Sequence, residues 1–164
     1  MDIRPLGADS TNAVLHLFNT VIRDMKQKGI DQWDDIYPSK ELLKNDILAG
    51  SAWGCFEGET LAGYLAIDAD EPKEYAALSW EWGMDNHLMI HRLCIHPLKR
   101  QNGYSQALLA AVEKWAAETG CKAIRLDTHM TNKVAQYTFE KNGYAFRGTV
   151  EFRKGTFFCY EKEL

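Results

Sequence analysis

The feature of this sequence that most constrains its fold is a run of three strand patterns with no helix between them. Ala52 to Phe56 and Thr60 to Ile67 are apolar-rich runs separated by Glu57, Gly58 and Glu59, as in an antiparallel hairpin. The next pattern, His87 to His96, alternates as a strand does and stops at a proline. A doubly wound parallel sheet needs a helix after each strand, so this order excludes that fold.

Helical patterns stand on either side of these strands. Before them, an amphipathic stripe runs from Val14 to Met25, and a second helix begins after Ser39. After them, one helix begins near Gly103 and another spans Asn132 to Asn142. Short strand patterns at residues 3–6, 123–127, 144–150 and 156–160 complete the order. We therefore expect a single α/β domain over residues 1–164, of the α+β kind, with a mixed, mostly antiparallel sheet of about seven strands and about four helices.

The charge and composition exclude several classes of function. The chain has 164 residues, with 19 Lys and Arg against 23 Asp and Glu, for a formal charge of −4. Because proteins that bind nucleic acid need a clustered basic surface, we expect no nucleic-acid partner. No window approaches the ~18 apolar residues of a membrane span, so we expect no membrane partner either. The four cysteines are scattered without a CxxC pair, which is typical of a reduced, cytoplasmic protein.

The stretch from Leu93 to Leu109 is the strongest indication of a binding site. It reads as the end of a strand, a basic turn with Lys99 and Arg100, and the start of a helix with the small residues Gly103 and Ser105. The first amides of a helix have no partner within it and carry positive partial charge, so a phosphate or pyrophosphate binds there readily. The two cations add positive charge beside it. The pattern alone is also compatible with a purely structural strand-turn-helix junction.

The sequence contains two spaced motifs, R-x-x-G-x-S at residues 100–105 and N-x-x-A-x-x-x-F-x-x-x-G-Y at residues 132–144, and both resemble motifs of the GNAT acyltransferase superfamily. Residues 100–105, R-x-x-G-x-S, are similar to that family's Gln/Arg-x-x-Gly-x-Gly/Ala signature, with serine as the last small residue. Residues 132–144, N-x-x-A-x-x-x-F-x-x-x-G-Y, resemble its Asn-x-x-Ala-x-x-x-Tyr-x-x-x-Gly-Phe pattern. The resemblance extends over the whole order of elements. It implies an N-acetyltransferase that transfers an acetyl group from acetyl-CoA to a primary amine of a small molecule or protein, by direct attack in a ternary complex.

The resemblance also implies where acetyl-CoA binds, in a cleft where the strands 87–96 and 123–127 splay apart. Its pantetheine arm and acetyl carbonyl would lie along Leu93, Cys94 and Ile95. The pyrophosphate would lie on the turn and the first helical residues, which are Arg100, Gln101, Asn102, Gly103, Tyr104, Ser105 and Gln106. The second motif would contact the arm through Asn132, Ala135 and Phe139.

His91 is the candidate for the base that deprotonates the amine. It lies two and four residues before Leu93 and Ile95, so on an unbroken strand all three point to one face. Imidazole can accept a proton near neutral pH, and this stretch resembles the corresponding strand of arylalkylamine acetyltransferases. A purely structural histidine is the alternative. We expect no metal site, because Cys94 and His96 alternate away from His91 on such a strand.

The family's usual general acid is a tyrosine, and Phe139 occupies that position here. Tyr137 cannot replace it, because two residues on a helix are about 200° apart. Either the thiolate leaves unprotonated or another donor serves, such as Tyr104, Tyr160 or water. The absent tyrosine also leaves open a second function, a non-catalytic module that binds or senses acyl-CoA.

The parts outside the cofactor motifs are the candidates for acceptor recognition. The segment 68–85 holds six acidic residues against one lysine, and carboxylates next to aromatic rings suit a cationic amine. The candidate contacts are Trp33, Tyr37 and Trp80. A solvated loop without such a role is the alternative reading of the segment. The identity of the amine and the formation of a homodimer stay open at this point.

Overall fold

The computed structural model describes all 164 residues and contains one sheet of seven strands in the order β1-β2-β3-β4-β5-β7-β6. The strands are β1 (Asp2–Pro5), β2 (Ala52–Glu57), β3 (Thr60–Asp68), β4 (His87–Ile95), β5 (Ala123–His129), β6 (Ala145–Phe152) and β7 (Gly155–Glu163). The helices are α1 (Thr11–Gln27), α2 (Lys40–Leu48), α3 (Tyr104–Glu118) and α4 (Lys133–Lys141). Every neighbouring pair of strands is antiparallel except β4 with β5, so the predicted mixed, mostly antiparallel sheet is confirmed. None of the helices has the length and apolar character to cross a bilayer.

The helices cover the two faces of the sheet as separate pairs. The apolar stripe of α1 and part of α2 pack on Tyr64, Ala66 and Cys94. On the other face, α3 and α4 pack on Leu65 and Ile67 with the apolar residues of β5. Because β3 is buried on both faces, its sequence is apolar almost throughout instead of alternating. The predicted cap of α2 is confirmed, since the Ser39 hydroxyl accepts a hydrogen bond from the Leu42 amide at 3.1 Å.

The parallel strands β4 and β5 diverge, as predicted. They pair only from His87 opposite Ala123 to Met89 opposite Arg125, and beyond that point each follows its other neighbour. A β-bulge lies in β4 at this point, because Leu65 alone on β3 faces both Arg92 and Leu93. Arg92 has a φ of 56°, which is uncommon for a residue with a side chain. A bulge bends and twists its strand, which carries β4 away from β5.

The bulge also changes which residues of β4 share a face. His91 lies opposite Ala66, on the face that α1 covers, whereas Leu93 and Ile95 pack in the core beneath α3. The prediction that His91, Leu93 and Ile95 point to one face is therefore wrong, because the extra residue shifts the alternation by one. The same shift puts Cys94 on the face of His91, contrary to the sequence-based expectation.

Candidate active site

A cavity of about 320 Å³ opens where β4 and β5 diverge, and it passes from one face of the sheet to the other. We call its two ends the α4 side and the loop side. The α4 side is lined by Ile90, Leu93, Leu126, Asn132, Ala135 and Phe139. The loop side is lined by residues of the loop 28–39, of β4 and β5, and of the turn between β6 and β7, among them Trp33, Tyr37, His91, Arg92, Asp127 and Arg153. The structure thus brings together the predicted residues Leu93, Asn132, Ala135 and Phe139 with His91, Trp33 and Tyr37.

The chain runs from the cavity along β4 into the turn that precedes α3. None of the backbone amides from Arg100 to Gln106 donates a hydrogen bond within the protein. Two residues of this turn have positive φ, Gln101 at 65° and Gly103 at 78°, and no atom lies within 4 Å of where a Cβ on Gly103 would be. Free amides at the positive end of a helix form an anion site, so this part of the prediction has the expected geometry.

The charges beside this turn are balanced, which corrects the expectation that Lys99 and Arg100 add positive charge there. The Arg100 guanidinium donates to Asp24 of α1, and the Lys99 ammonium donates to Glu57 at the end of β2. The sequence around the turn does not reveal these carboxylates, because Asp24 lies 76 residues from Arg100 and Glu57 lies 42 residues from Lys99. The backbone amides are therefore the main attraction for an anion at this turn.

Tyr104 begins α3, and its hydroxyl donates to Glu57 Oε1 at 2.6 Å. This hydrogen bond to a carboxylate raises the pKa of Tyr104 to about 12. The side chain does not line the cavity. The geometry contradicts the alternative in which Tyr104 protonates a leaving group there. Tyr160 is also outside the cavity, 1% exposed and packed at 5.6 Å from the Phe139 ring.

Asn132 and Gln32 connect the two sides of the cavity. Asn132 Oδ1 accepts from the Ala135 amide at 3.2 Å and so caps α4. Its Nδ2 donates to Gln32 Oε1 at 2.9 Å, and the Thr128 hydroxyl donates to the same oxygen at 3.2 Å. Sequence reasoning missed Gln32, since no local pattern marks it.

His91 lies on the loop side, where Nε2 is 3.0 Å from Asp68 Oδ1. Burial is the largest influence on the pKa of Asp68 and would raise it, but the hydrogen bond and charge of His91, the Asp70 amide and the charge of Arg92 together hold that pKa below its ordinary value. The carboxylate fixes the ring so that Nε2 carries the proton and Nδ1 has no protein partner. A neutral His91 can therefore accept a proton at Nδ1.

The neighbouring Arg92 forms a buried ion pair with Asp46 of α2. Its Nε and Nη2 donate to the two carboxylate oxygens at 2.9 and 2.7 Å, and the two side chains are 7% and 6% exposed. Its Nη1 donates to the Tyr37 hydroxyl at 3.1 Å, and the Tyr64 hydroxyl donates to Asp46 at 2.7 Å. The bulge is therefore tied to α2, β3 and the loop 28–39.

Asp127 on β5 is a lining residue that sequence reasoning did not single out. Its Oδ2 accepts from the Tyr75 hydroxyl at 2.5 Å, and burial raises the pKa of the carboxyl group. One signal was present in the sequence, a carboxylate at the end of the predicted strand 123–127.

The prediction that the segment 68–85 presents an acidic, aromatic surface to an acceptor is wrong. Glu71 pairs with Arg125 at 2.7 Å and Glu81 with Arg147 at 2.7 Å, so arginines of β5 and β6 neutralise them. Trp80 is outside the cavity, since its ring stacks 4.3 Å from the Arg125 guanidinium and its Nε1 donates to the Tyr75 carbonyl. Of this segment only Pro72 lines the cavity.

Comparisons with known proteins agree with this arrangement. The sequence model described as the acetyltransferase (GNAT) family matches residues 16–144. A curated relative, the aminoglycoside N(6')-acetyltransferase type 1 of Salmonella typhimurium, is 24% identical over 132 residues, which is 75% of this chain and 90% of the relative. A GNAT family acetyltransferase structure from Streptococcus agalactiae is 28% identical with a TM-score of 0.87, covering 99% of this chain and 95% of that one. The PaiA N-acetyltransferase of Thermoplasma acidophilum, solved in complex with coenzyme A, shares the fold at 21% identity, with a TM-score of 0.75 and coverage of 99% and 98%.

Proposed function

This chain belongs to the acetyltransferase (GNAT) family, so it is an acyltransferase that uses acetyl-CoA, and we propose that it acetylates a primary amine by direct attack in a ternary complex. One observation carries the proposal, a cavity through the splayed sheet. Its α4 side is continuous with a strand and turn suited to acetyl-CoA, and its loop side holds a histidine and a carboxylate suited to an amine. Holding both partners in one cavity supplies much of the rate, because the attack becomes effectively unimolecular.

The residues on the α4 side fit acetyl-CoA, which supplies the acetyl group as an activated thioester. The free amides of residues 100–106 would hold the pyrophosphate. Beyond Met89, the edge of β4 that faces β5 has no strand partner, so its backbone at Leu93 and Ile95 is available to the amides of the pantetheine arm. Ala135 and Phe139 would then contact the arm, while Asn132 is occupied as the cap of α4.

We assign His91 as the base. An acceptor amine is mostly protonated at neutral pH and must lose a proton before it can attack. Nδ1 of His91 takes that proton, while Asp68 holds Nε2 and stabilises the imidazolium that forms. No tyrosine lines the α4 side of the cavity, and a thiol with a pKa near 8.5 leaves as the thiolate without an acid.

A panel of primary amines, assayed by release of free thiol from acetyl-CoA, tests the proposal. We expect at least one amine to raise thiol release well above the hydrolysis background. His91→Gln is expected to lower kcat/KM by roughly 10²- to 10⁴-fold and to remove the acidic limb of its pH profile. His16→Gln makes the same change at an exposed position and is expected to do neither.

Two results would overturn the proposal. If coenzyme A binds but no amine accelerates thiol release, the chain is an acyl-CoA-binding module. If amines react but His91→Gln leaves the pH profile unchanged, the base is another group.

A further inference from the structure

We propose that Asp127 binds the ammonium group of the acceptor and that the cavity selects a compact amine with one positive charge and an apolar body. This inference rests on the proposed function, since it names the substrate class of the same site. Asp127 is the only carboxylate among the 18 residues that line the cavity. Its Oδ2 accepts from Tyr75, and its Oδ1 accepts no hydrogen bond from the protein.

The charges around Asp127 leave its carboxylate without a cationic partner. Arg153 donates to both oxygens of Asp34 at 3.0 Å, and Lys154 donates to Asp31 at 2.6 Å. Arg92, on β4, is likewise paired with the buried carboxylate of Asp46. Every lining arginine and lysine is therefore paired with a carboxylate outside the cavity.

An unpaired carboxylate in such a site is costly, because burial removes the water that would stabilise its charge. The raised pKa of Asp127 reflects this cost. Tyr75 donates one neutral hydrogen bond, which orients the group without cancelling the charge. An ammonium group at Oδ1 would supply the missing partner, next to the imidazole of His91 that accepts its proton.

The side chains that line the loop side determine the polarity and size of the rest of the acceptor. They include the aromatic rings of Trp33, Tyr37, Phe152 and Phe157. Such rings favour an apolar body and also attract a nearby cation. The cavity of about 320 Å³ is at the lower end of ligand sites, and the acetyl end of the cofactor occupies part of it. A second ammonium would meet no free carboxylate, which disfavours polyamines.

Titration calorimetry in the presence of coenzyme A tests the inference with three probes: 2-phenylethylamine, the neutral 2-phenylethanol of nearly the same shape, and spermidine. In the wild type we expect the amine to bind roughly 10- to 100-fold more tightly than the alcohol, as for a hydrogen bond to a charged group. We also expect it to bind more tightly than spermidine. Asp127→Asn is expected to abolish the preference for the amine over the alcohol.

Two further variants separate binding from structure. Asp85→Asn makes the same change at an exposed position and is expected to keep the preference. Tyr75→Phe keeps the carboxylate of Asp127 but removes the hydrogen bond to its Oδ2. We therefore expect the KM for the amine to rise less than in Asp127→Asn, with kcat little changed. Equal binding of amine and alcohol in the wild type, retained preference in Asp127→Asn, or tighter binding of spermidine would each overturn the inference. A chain that fails to bind coenzyme A would instead refute the proposed function.

Discussion

Replacing Arg92 by methionine is expected to lower the free energy of unfolding by about 3 kcal/mol. Breaking a buried ion pair by removing one partner typically costs about 3–5 kcal/mol, because the other charge stays buried. The lower end of this range applies here, since Asp46 keeps the hydrogen bond from the Tyr64 hydroxyl. In a chain of this length each kcal/mol shifts Tm by about 2–4 °C, so we expect Tm to fall by roughly 6–12 °C.

A double-mutant cycle with Asp46→Leu isolates the pair. The variant with both Arg92→Met and Asp46→Leu replaces two buried charges by apolar groups, so it is expected to lose much less stability than the two single changes summed. Arg4→Met is the control, because its partner Asp2 is 60% exposed, and we expect a change below about 1 kcal/mol. Additive single effects, or a loss below about 1 kcal/mol for Arg92→Met, would refute the reasoning.

The same cycle separates stability from function. The positive φ of Arg92 costs about 1–3 kcal/mol, and we infer that the ion pair with Asp46 compensates for this cost. Without the pair β4 is free to relax toward a regular strand, which would move the backbone at Leu93. We therefore expect the KM for acetyl-CoA to rise in Arg92→Met and to stay raised in the stabilised double variant. Recovery of KM together with Tm would show that the ion pair does not hold the bulge.

Three other changes test separate parts of the site. In steady-state kinetics, Phe139→Tyr is expected to raise kcat by up to about 10²-fold, because it supplies the absent general acid. Phe139→Leu is the control without a hydroxyl and is expected to leave kcat nearly unchanged. Gly103→Ala is expected to weaken coenzyme A binding several-fold in a titration, because a side chain at its φ of 78° strains the turn. Gly29→Ala is the control: it introduces the same kind of strain at a φ of 69° and is expected to leave coenzyme A binding unchanged. Asp127→Asn is expected to raise Tm at pH 7, because the wild type loses stability as the pH rises from the ordinary carboxyl pKa of 3.8 through the raised pKa of Asp127. The gain in Tm of the variant over the wild type should therefore shrink as the pH is lowered toward 3.8.

The sequence predicts the fold well because its signals are local. The hairpin between β2 and β3, the stripe of α1 and the turn before α3 all depend on residues within a few positions of one another. The bulge could not be predicted, since the ion pair that Arg92 forms there is with Asp46, 46 residues away in the sequence. Two of the acidic residues expected to face an acceptor are paired elsewhere for the same reason, because Arg125 and Arg147 neutralise Glu71 and Glu81 from distant strands.

The bulge at Arg92 accounts for how one cavity can serve two substrates. On a regular strand His91 would share the face of Leu93, where α3 packs, and the imidazole would lie in an apolar core without Asp68. One extra residue puts Leu93 on the α4 side and leaves His91 on the loop side. It also bends β4 away from β5, so the two faces of the sheet communicate at that point. In the proposed function, a thioester held along Leu93 and an amine deprotonated by His91 would then approach each other from opposite faces of the sheet and contact different lining residues.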